Sequence, residues 1–92
     1  MIVSFRHKGL EALYQDDSKR GIQPDHAAKL LRILAALDVA QTSTDLAIPS
    51  FRTHELKGEL AGHWSIWVNG NWRVTFRFIG LDVELVDYRD YH

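Results

Sequence analysis

The sequence predicts an α+β fold in which two N-terminal helices pack on one face of a small, mostly antiparallel, twisted sheet of about 4–5 strands. Apolar residues recur at three- and four-residue spacing in the first half of the chain, which is typical of helices. In the second half they occupy alternate positions, which is typical of strands. With 92 residues, 46% of them apolar and 25% charged, residues 1–92 form a single globular domain.

The first predicted elements are a short strand and a helix. Residues 2–5 are apolar and β-branched enough for the strand, and residues 8 to about 17 form the helix. Gly21 is the expected turn residue after this helix. The apolar face of the helix contains Leu10, Leu13 and Tyr14.

The second predicted helix begins near Pro24 and continues to about residue 40. Proline suits the first helical turn, because the backbone N–H that it lacks would have no helical partner there. Residues 41–50 form a loop. The apolar stripe of this helix contains Ala27, Leu30, Leu31, Leu34 and Leu37.

The second half predicts a β-hairpin with one apolar and one polar face, the latter carrying Arg73 and Arg77. A two-residue turn at Asn69-Gly70 would set apolar against polar residues across the strands. A three-residue loop over residues 69–71 pairs Val68 with Trp72 and keeps the apolar residues together, so we predict this loop. Further strands are expected over residues 51–56 and 81–88. Two helices can cover only one face of the sheet, which leaves the arginine-bearing face partly open.

Composition and charge exclude several classes of protein. Without cysteine the chain has neither disulfides nor thiolate zinc sites, which fits a reducing compartment. No apolar run approaches the roughly 20 residues needed to span a bilayer, and residues 1–17 lack the apolar stretch of a signal peptide. We expect a cytoplasmic protein without membrane contact. The net charge of −1 argues against a general nucleic-acid coat protein, although the concentration of basic residues in the second half permits one basic face.

The sequence indicates neither a metal site nor a cofactor. The five histidines show no metal-ligand spacing, and there is no glycine-rich phosphate loop or serine-nucleophile motif. A metal site built from His54, Asp90 and His92 is geometrically conceivable, but it is the minor alternative.

The residues best suited to chemistry lie in "THELK", at Arg73 and in the final "RDYH". Imidazoles can act as the base and acid of a phosphoryl transfer, because their ordinary pKa lies near neutral pH. Lysine and arginine stabilise charge on phosphoryl oxygens, and tyrosine can stack on a base. The set is that of a metal-free ribonuclease, which uses the 2′-hydroxyl of the RNA as its nucleophile. The candidate catalytic residues are His54, Lys57, Arg73, Asp90, Tyr91 and His92.

Each of these residues also has a purely structural interpretation. His54 can be a surface strand residue, and the hairpin arginines can be solvated charges. Tyr91 and His92 can belong to a loose tail. Trp67 faces away from the apolar side and is a candidate for contact with RNA, although it could equally pack against a loop. The candidate RNA-binding residues are Arg52, Arg77, Arg89 and Trp67.

The stretch "LKGELAGHWSIWVNGNWRVTFRF…VELVDYRDYH" resembles the HigB branch of the RelE/ParE superfamily of type II toxins, and the resemblance extends over nearly the whole chain from "MIVSFRHKGLEALY". It implies a RelE-like fold and a toxin that cleaves translated mRNA in the A site of the 30S ribosomal subunit. The six catalytic candidates fall on the functional positions of that family. Base and acid remain unassigned among His54, Asp90 and His92.

The resemblance also implies partners. A helix-turn-helix antitoxin of the HigA type would inhibit the toxin, and operator DNA would be bound only through that antitoxin. We expect the free toxin to be a monomer. Two alternatives remain open at this point: a ParE-like inhibitor that acts by protein contact with gyrase, and an inactive relative that serves as antitoxin partner and co-repressor.

Overall fold

The computed structural model describes residues 1–91, and His92 lies outside the described residues. Two helices precede a four-stranded antiparallel sheet with the strand order β1-β2-β3-β4, so the predicted α+β architecture is confirmed. Within residues 1–91, no helix is long and apolar enough to cross a membrane. The elements are α1 (Lys8–Asp16), α2 (Ala27–Val39), β1 (His54–Glu55), β2 (His63–Asn69), β3 (Trp72–Ile79) and β4 (Asp82–Asp90).

One hydrophobic core joins both helices to the same face of the sheet. Leu10 and Leu13 of α1 are fully buried, as predicted. The stripe predicted for α2 is wrong at one position, because Leu31 is 38% exposed whereas Ile33 is fully buried. At about 100° per residue, Ile33 lies about 60° from Leu30 on the side of Leu37 and so at one edge of the buried arc, whereas Leu31 lies about 100° from Leu30, beyond the other edge.

The N-terminal segment joins the sheet without forming a regular strand. Ile2 and Phe5 make isolated parallel bridges to Val83 and Val86, beside the free edge of β4. The backbone N–H of Arg6 also donates to the carbonyl of Val86 at 2.8 Å. Residues 2–5 therefore pair with β4 through two parallel bridges and do not form the regular strand that was predicted. This pairing brings Arg6 close to the end of β4.

The β2–β3 hairpin has the predicted faces but a different loop. Ile66 pairs with Val74, which keeps the apolar residues together as expected. Asn69, however, pairs with Trp72 across a two-residue turn, and a bulge near Val68 takes up the extra residue. The prediction of a three-residue loop is wrong. The extra residue that keeps the apolar side chains on one face lies in a bulge and not in the loop.

One further expectation needs correction. The strand expected over residues 51–56 covers only His54–Glu55, since Pro49–Phe51 forms a 3₁₀ turn and Arg52 adopts a left-handed conformation with φ 47°. Gly21 lies in a turn, as expected. It also allows a close approach to α1, because a Cβ on it would lie 2.6 Å from the Cα of Gly9.

The last strand is longer than predicted, and its end is anchored. β4 continues to Asp90, and the backbone N–H of Tyr91 donates to the carbonyl of Asn71 at 2.8 Å. Tyr88 is buried and stacks on Trp72 with ring centroids 4.5 Å apart, while its hydroxyl lies 2.6 Å from Nδ1 of His26. Burial raises the pKa of the Tyr88 phenol, which stays protonated at neutral pH. The chain up to Tyr91 is therefore not a loose tail.

Asp38 ties three segments of the first half together. Its Oδ1 accepts hydrogen bonds from the Tyr14 hydroxyl at 2.7 Å and from the Ile2 backbone N–H at 3.2 Å. The Tyr14 hydrogen bond, followed by that from Ile2, lowers the pKa of Asp38. One carboxylate thus joins α1, α2 and the N-terminal segment.

Asp38→Asn is expected to lower the free energy of unfolding at neutral pH by about 1 kcal/mol, because hydrogen bonds to a charged acceptor are weakened. A carboxyl with a lowered folded pKa stabilises the fold above its ordinary pKa of about 3.9, and the stabilisation is lost as the pH falls through the folded value. The variant should therefore show a shallower loss of stability below pH 4 in urea unfolding. Asp16→Asn, an exposed change at the end of α1, is the control, and parallel pH profiles for Asp38→Asn and wild type would contradict the assignment.

Candidate functional site

The side of the sheet opposite the helices forms what we call the polar face. Strand register fixes its composition: His54 lies opposite Ser65, Trp67 opposite Arg73, and Arg73 opposite Arg89. Directly opposed residues share a face, so side chains from all four strands meet here. The residues of the polar face are His54, His63, Ser65, Trp67, Arg73, Thr75, Arg77, Glu84, Asp87, Arg89 and Tyr91.

A groove of about 680 Å³ opens on the polar face, between the segment after β1 and the end of β4. Its volume lies within the roughly 300–1,000 Å³ typical of small-ligand sites. Three cationic side chains and one carboxylate line it, which makes the groove basic although the chain carries a net charge of −1. The residues that line this basic groove are Arg6, Leu56, Lys57, Glu59, Leu60, His63, Arg89 and Tyr91.

Lys57 and Tyr91, two of the predicted catalytic residues, lie together in the basic groove. Lys57 is exposed and precedes the 3₁₀ turn Gly58–Leu60, which forms one wall. Tyr91 is 36% exposed and has the Arg89 guanidinium 5.6 Å from its ring centroid. A flexible ammonium and an aromatic ring are thus available to one ligand.

His54 and Arg73 lie on the polar face outside the groove lining. His54 is exposed on the edge strand β1, and its Nδ1 lies 3.0 Å from the carbonyl oxygen of Arg52. Arg73 donates through Nη1 to the carbonyls of Gly70 at 3.2 Å and Trp72 at 3.1 Å. Its guanidinium is therefore held at the hairpin turn, one strand away from Arg89.

Asp90 occupies a different position from the other predicted residues. It pairs with Trp72, so the register places it on the side of the sheet that carries Trp72 and Tyr88, while Arg89 and Tyr91 occupy the polar face. Asp90 is exposed, and its charge contributes to raising the pKa of Tyr88. His92, the remaining catalytic candidate, lies outside the described residues.

The predicted RNA-binding residues form two separate groups. Trp67 is half-buried, with the Arg52 guanidinium 4.2 Å and the Lys29 ammonium 4.4 Å from its ring centroid. Burial, and then the nearby charges of Arg32 and Arg52, lower the pKa of Lys29. Lys29 and Arg32 were not predicted from the sequence. The proximity of Lys29 to the indole arises from the packing of α2 against β2.

The second group lies on β3 and β4. Arg77 donates through Nε, at 2.7 Å, and through Nη2 to the same oxygen, Oε2 of Glu84. Arg89 lies in the groove, with its Nε 3.8 Å from Asp87 Oδ2. Arg77 is thus closely paired with a carboxylate, whereas the ion pair of Arg89 with Asp87 is longer.

Arg6 and His63 are among the groove residues that were not predicted from the sequence. Arg6 reaches the groove only because the N-terminal segment pairs with β4, some 80 positions later in the chain. His63 begins β2 and is 92% buried. The one sequence signal for His63 is its position next to Trp64 of the apolar face, which alternation turns into a position on the polar face.

No three His, Cys, Asp or Glu side chains within residues 1–91 converge in a way that could hold a metal ion. The minor alternative of a metal site at His54, Asp90 and His92 includes a residue that the structure does not describe. The groove as described is instead rich in cations, which suits an anionic ligand.

Comparison with known proteins identifies the family of this chain. The model of the HigB-like toxin family, described as "RelE-like toxin of type II toxin-antitoxin system HigB", matches residues 3–92. The chain belongs to the HigB-like toxin family. This confirms the resemblance inferred from the "NWR" and "DYH" motifs.

Two curated relatives match this HigB-like toxin over its whole length. Endoribonuclease HigB of Proteus vulgaris is 39% identical over 92 residues, which cover 100% of both chains. Toxin HigB-1 of Vibrio cholerae serotype O1 is 38% identical over 94 residues, covering 100% of this chain and 98% of the relative. Among solved structures, the YoeB dimer from Staphylococcus aureus superposes with a TM-score of 0.54 at 16% identity, covering 99% of this chain and 94% of that one. That similarity concerns the fold alone, and it confirms the predicted RelE-like fold.

Proposed function

We propose that this HigB-like toxin is a ribosome-dependent endoribonuclease that cleaves mRNA in the ribosomal A site. The observation that carries the proposal is the basic groove, where Lys57, Arg89 and Tyr91 line one site on the polar face. Its family membership, and a relative of the same length named an endoribonuclease, support the same activity. Cytoplasmic location follows from that activity.

The mRNA backbone binds along the polar face. Lys57 and Arg89 line the groove and attract a phosphate, and Tyr91 stacks on or orients a base. Arg73 donates to two backbone carbonyls in the free chain. Bound RNA offers its guanidinium a stronger, charged acceptor, since a phosphate binds arginine more tightly than a neutral carbonyl does. Arg52, Arg77 and Trp67 extend the surface for the flanking nucleotides.

The reaction is a metal-free transesterification. A base takes the proton of the 2′-hydroxyl, and the 2′-oxygen attacks the adjacent phosphorus while the bond from phosphorus to the 5′-oxygen breaks. An acid protonates that 5′-oxygen, so the products carry a 2′,3′-cyclic phosphate and a 5′-hydroxyl. The candidates for base and acid are His54, Asp90 and His92. His54 and His92 come first, because Asp90 lies, by strand register, on the other side of the sheet from the bound RNA. Lys57 and Arg73 stabilise the charge on the phosphoryl oxygens.

A helix-turn-helix antitoxin of the HigA type neutralises the toxin, and the complex of the two represses their operon. The toxin contacts operator DNA only through that antitoxin. This part of the proposal rests on the family, which is defined by toxin–antitoxin pairs.

The proposal is tested by incubating purified toxin with ribosomes and mRNA, and by mapping cleavage through primer extension. His54→Gln and His92→Gln remove the two candidate imidazoles, and loss of a proton-transfer group should slow cleavage by about 10²–10⁴-fold. Lys19→Gln, an exposed change in the loop between the helices, is the control and should cleave at the wild-type rate. Absence of cleavage by the wild type, together with inhibition of gyrase supercoiling, would replace this proposal by the ParE-like alternative.

A further inference from the structure

His63 is a buried imidazole whose polar atoms have no hydrogen-bond partner among residues 1–91. Both ring nitrogens are closed to solvent and make no hydrogen bond within residues 1–91, although the residue lines the basic groove. A buried polar group without a partner costs about 1–3 kcal/mol. Native proteins seldom keep such a group unless it has a ligand or a functional role.

A second unpartnered group lies on the same strand and the same face. The Ser65 hydroxyl is fully buried and also has no hydrogen-bond partner among the described residues. Ser65 follows His63 by two positions and lies opposite His54. The floor of the polar face therefore contains polar atoms that make no hydrogen bond with any other part of residues 1–91.

The walls above His63 carry a net positive charge. Neither Arg6 nor Lys57 has a carboxylate within 4.0 Å in the described part of the chain. The third cation, Arg89, pairs with Asp87 at 3.8 Å, and Glu59 is the carboxylate of the groove lining. Three cations and one carboxylate in the lining leave an excess of positive charge, which attracts an anionic ligand.

Arg6 is held at the groove by the backbone. Its N–H donates to the carbonyl of Val86 at 2.8 Å, and the neighbouring Phe5 forms a parallel bridge to the same residue. The backbone that carries the exposed Arg6 side chain is thus fixed beside the groove before any ligand binds. Such preorganisation lowers the entropic cost of binding.

We propose that Arg6 and His63 form a nucleotide subsite within the basic groove, which binds one phosphate-bearing nucleotide of single-stranded RNA. Arg6 binds the phosphate together with Lys57 and Arg89, and His63 supplies a ring N–H or a ring nitrogen to the same nucleotide from the floor. Because both ring nitrogens are closed off in the free chain, the ring turns about its Cβ–Cγ bond when the ligand enters. That rotation exchanges the positions of the nitrogens with those of two ring carbons. The subsite rests on the proposed function, since it assigns new substrate-binding residues to the same RNA.

Binding by the full free chain tests the subsite without ribosomes. The probe is a 2′-O-methyl trinucleotide of uridine, which cannot be cleaved because its 2′-oxygens are blocked, and binding is followed by NMR of the histidine rings. Arg6→Gln should weaken binding by roughly tenfold or more, the effect of losing one charge-assisted contact. Arg20→Gln makes the same chemical change at an exposed loop position outside the groove and should bind as the wild type does.

His63→Phe separates a binding role from a structural one. Phenylalanine fills a similar space without the two unpartnered nitrogens, so this variant should unfold at the same or a higher temperature than the wild type. It should nevertheless bind the trinucleotide at least about tenfold more weakly. A lower melting temperature with unchanged binding would assign His63 to the fold and overturn the subsite.

Two further ligands test whether the site recognises the phosphate and whether it prefers RNA to a mononucleotide. Uridine, which lacks the phosphate, should bind far more weakly than the trinucleotide, and equal binding would overturn the anion site. Tighter binding of uridine 5′-monophosphate than of the trinucleotide would overturn the assignment to RNA. If the toxin binds the trinucleotide but does not cleave mRNA on ribosomes, the subsite is retained and the proposed nuclease activity is rejected. If it cleaves mRNA on ribosomes but does not bind the trinucleotide, the nuclease activity is retained and the subsite is rejected.

Discussion

Lys57→Ala is expected to reduce the rate of ribosomal mRNA cleavage by about 10²–10³-fold, the cost of removing one group that stabilises transition-state charge. Lys57 is exposed at the wall of the basic groove and has no carboxylate partner within residues 1–91. Its charge is therefore available to a phosphate. Single-turnover cleavage with saturating toxin measures the chemical step directly.

Two controls separate this effect from loss of fold or of general charge. The free energy of unfolding of Lys57→Ala should stay within about 0.5 kcal/mol of the wild type, because the side chain is exposed. Lys57→Arg retains the charge and should recover a large part of the rate. If Lys57→Ala cleaves within twofold of the wild type, the groove is not the reaction site.

Phe76→Ala is expected to lower the free energy of unfolding by about 3–5 kcal/mol, the usual cost of truncating a fully buried phenylalanine. Phe76 is completely buried in β3, lies opposite Trp64, and packs edge-on against Phe78 with ring centroids 5.5 Å apart. A chain of 92 residues has a total stability of roughly 5–14 kcal/mol. The substitution therefore removes a large part of the stability that holds the polar face together.

Urea unfolding measures this loss. Ile79→Ala provides a matched control, because it shortens an apolar residue at the end of the same strand where the side chain is 49% exposed. Its effect should stay within about 0.5 kcal/mol. A cost below 1 kcal/mol for Phe76→Ala would place the core elsewhere than at the centre of β3.

Local patterns in the sequence were sufficient for most of the fold. Helical spacing defined α1, and alternation assigned Ile66 and Val74 to the same face, as the observed register confirms. The errors arose where one pattern has two structural solutions. A bulge near Val68 and a three-residue loop preserve the same faces, and only the three-dimensional structure distinguishes them.

The groove was predictable only in part, because contacts distant in sequence build it. Lys57, Arg89 and Tyr91 were named from residue type and motif, and the structure places all three in one groove. Arg6 could not be found this way, since it enters the groove through bridges between the N-terminal segment and β4. His63 was not singled out from the sequence, because its burial without hydrogen-bond partners within residues 1–91 is a property of the folded chain.

The chemistry of the cleaved ends tests the central claim most directly. Wild-type toxin is incubated with ribosomes and a defined mRNA, and the ends of the purified fragments are analysed by mass spectrometry. Attack by the 2′-hydroxyl predicts a 2′,3′-cyclic phosphate on the upstream fragment and a 5′-hydroxyl on the downstream fragment. A 3′-hydroxyl paired with a 5′-phosphate would contradict the proposed mechanism, because those ends require attack by water instead of the RNA's own hydroxyl.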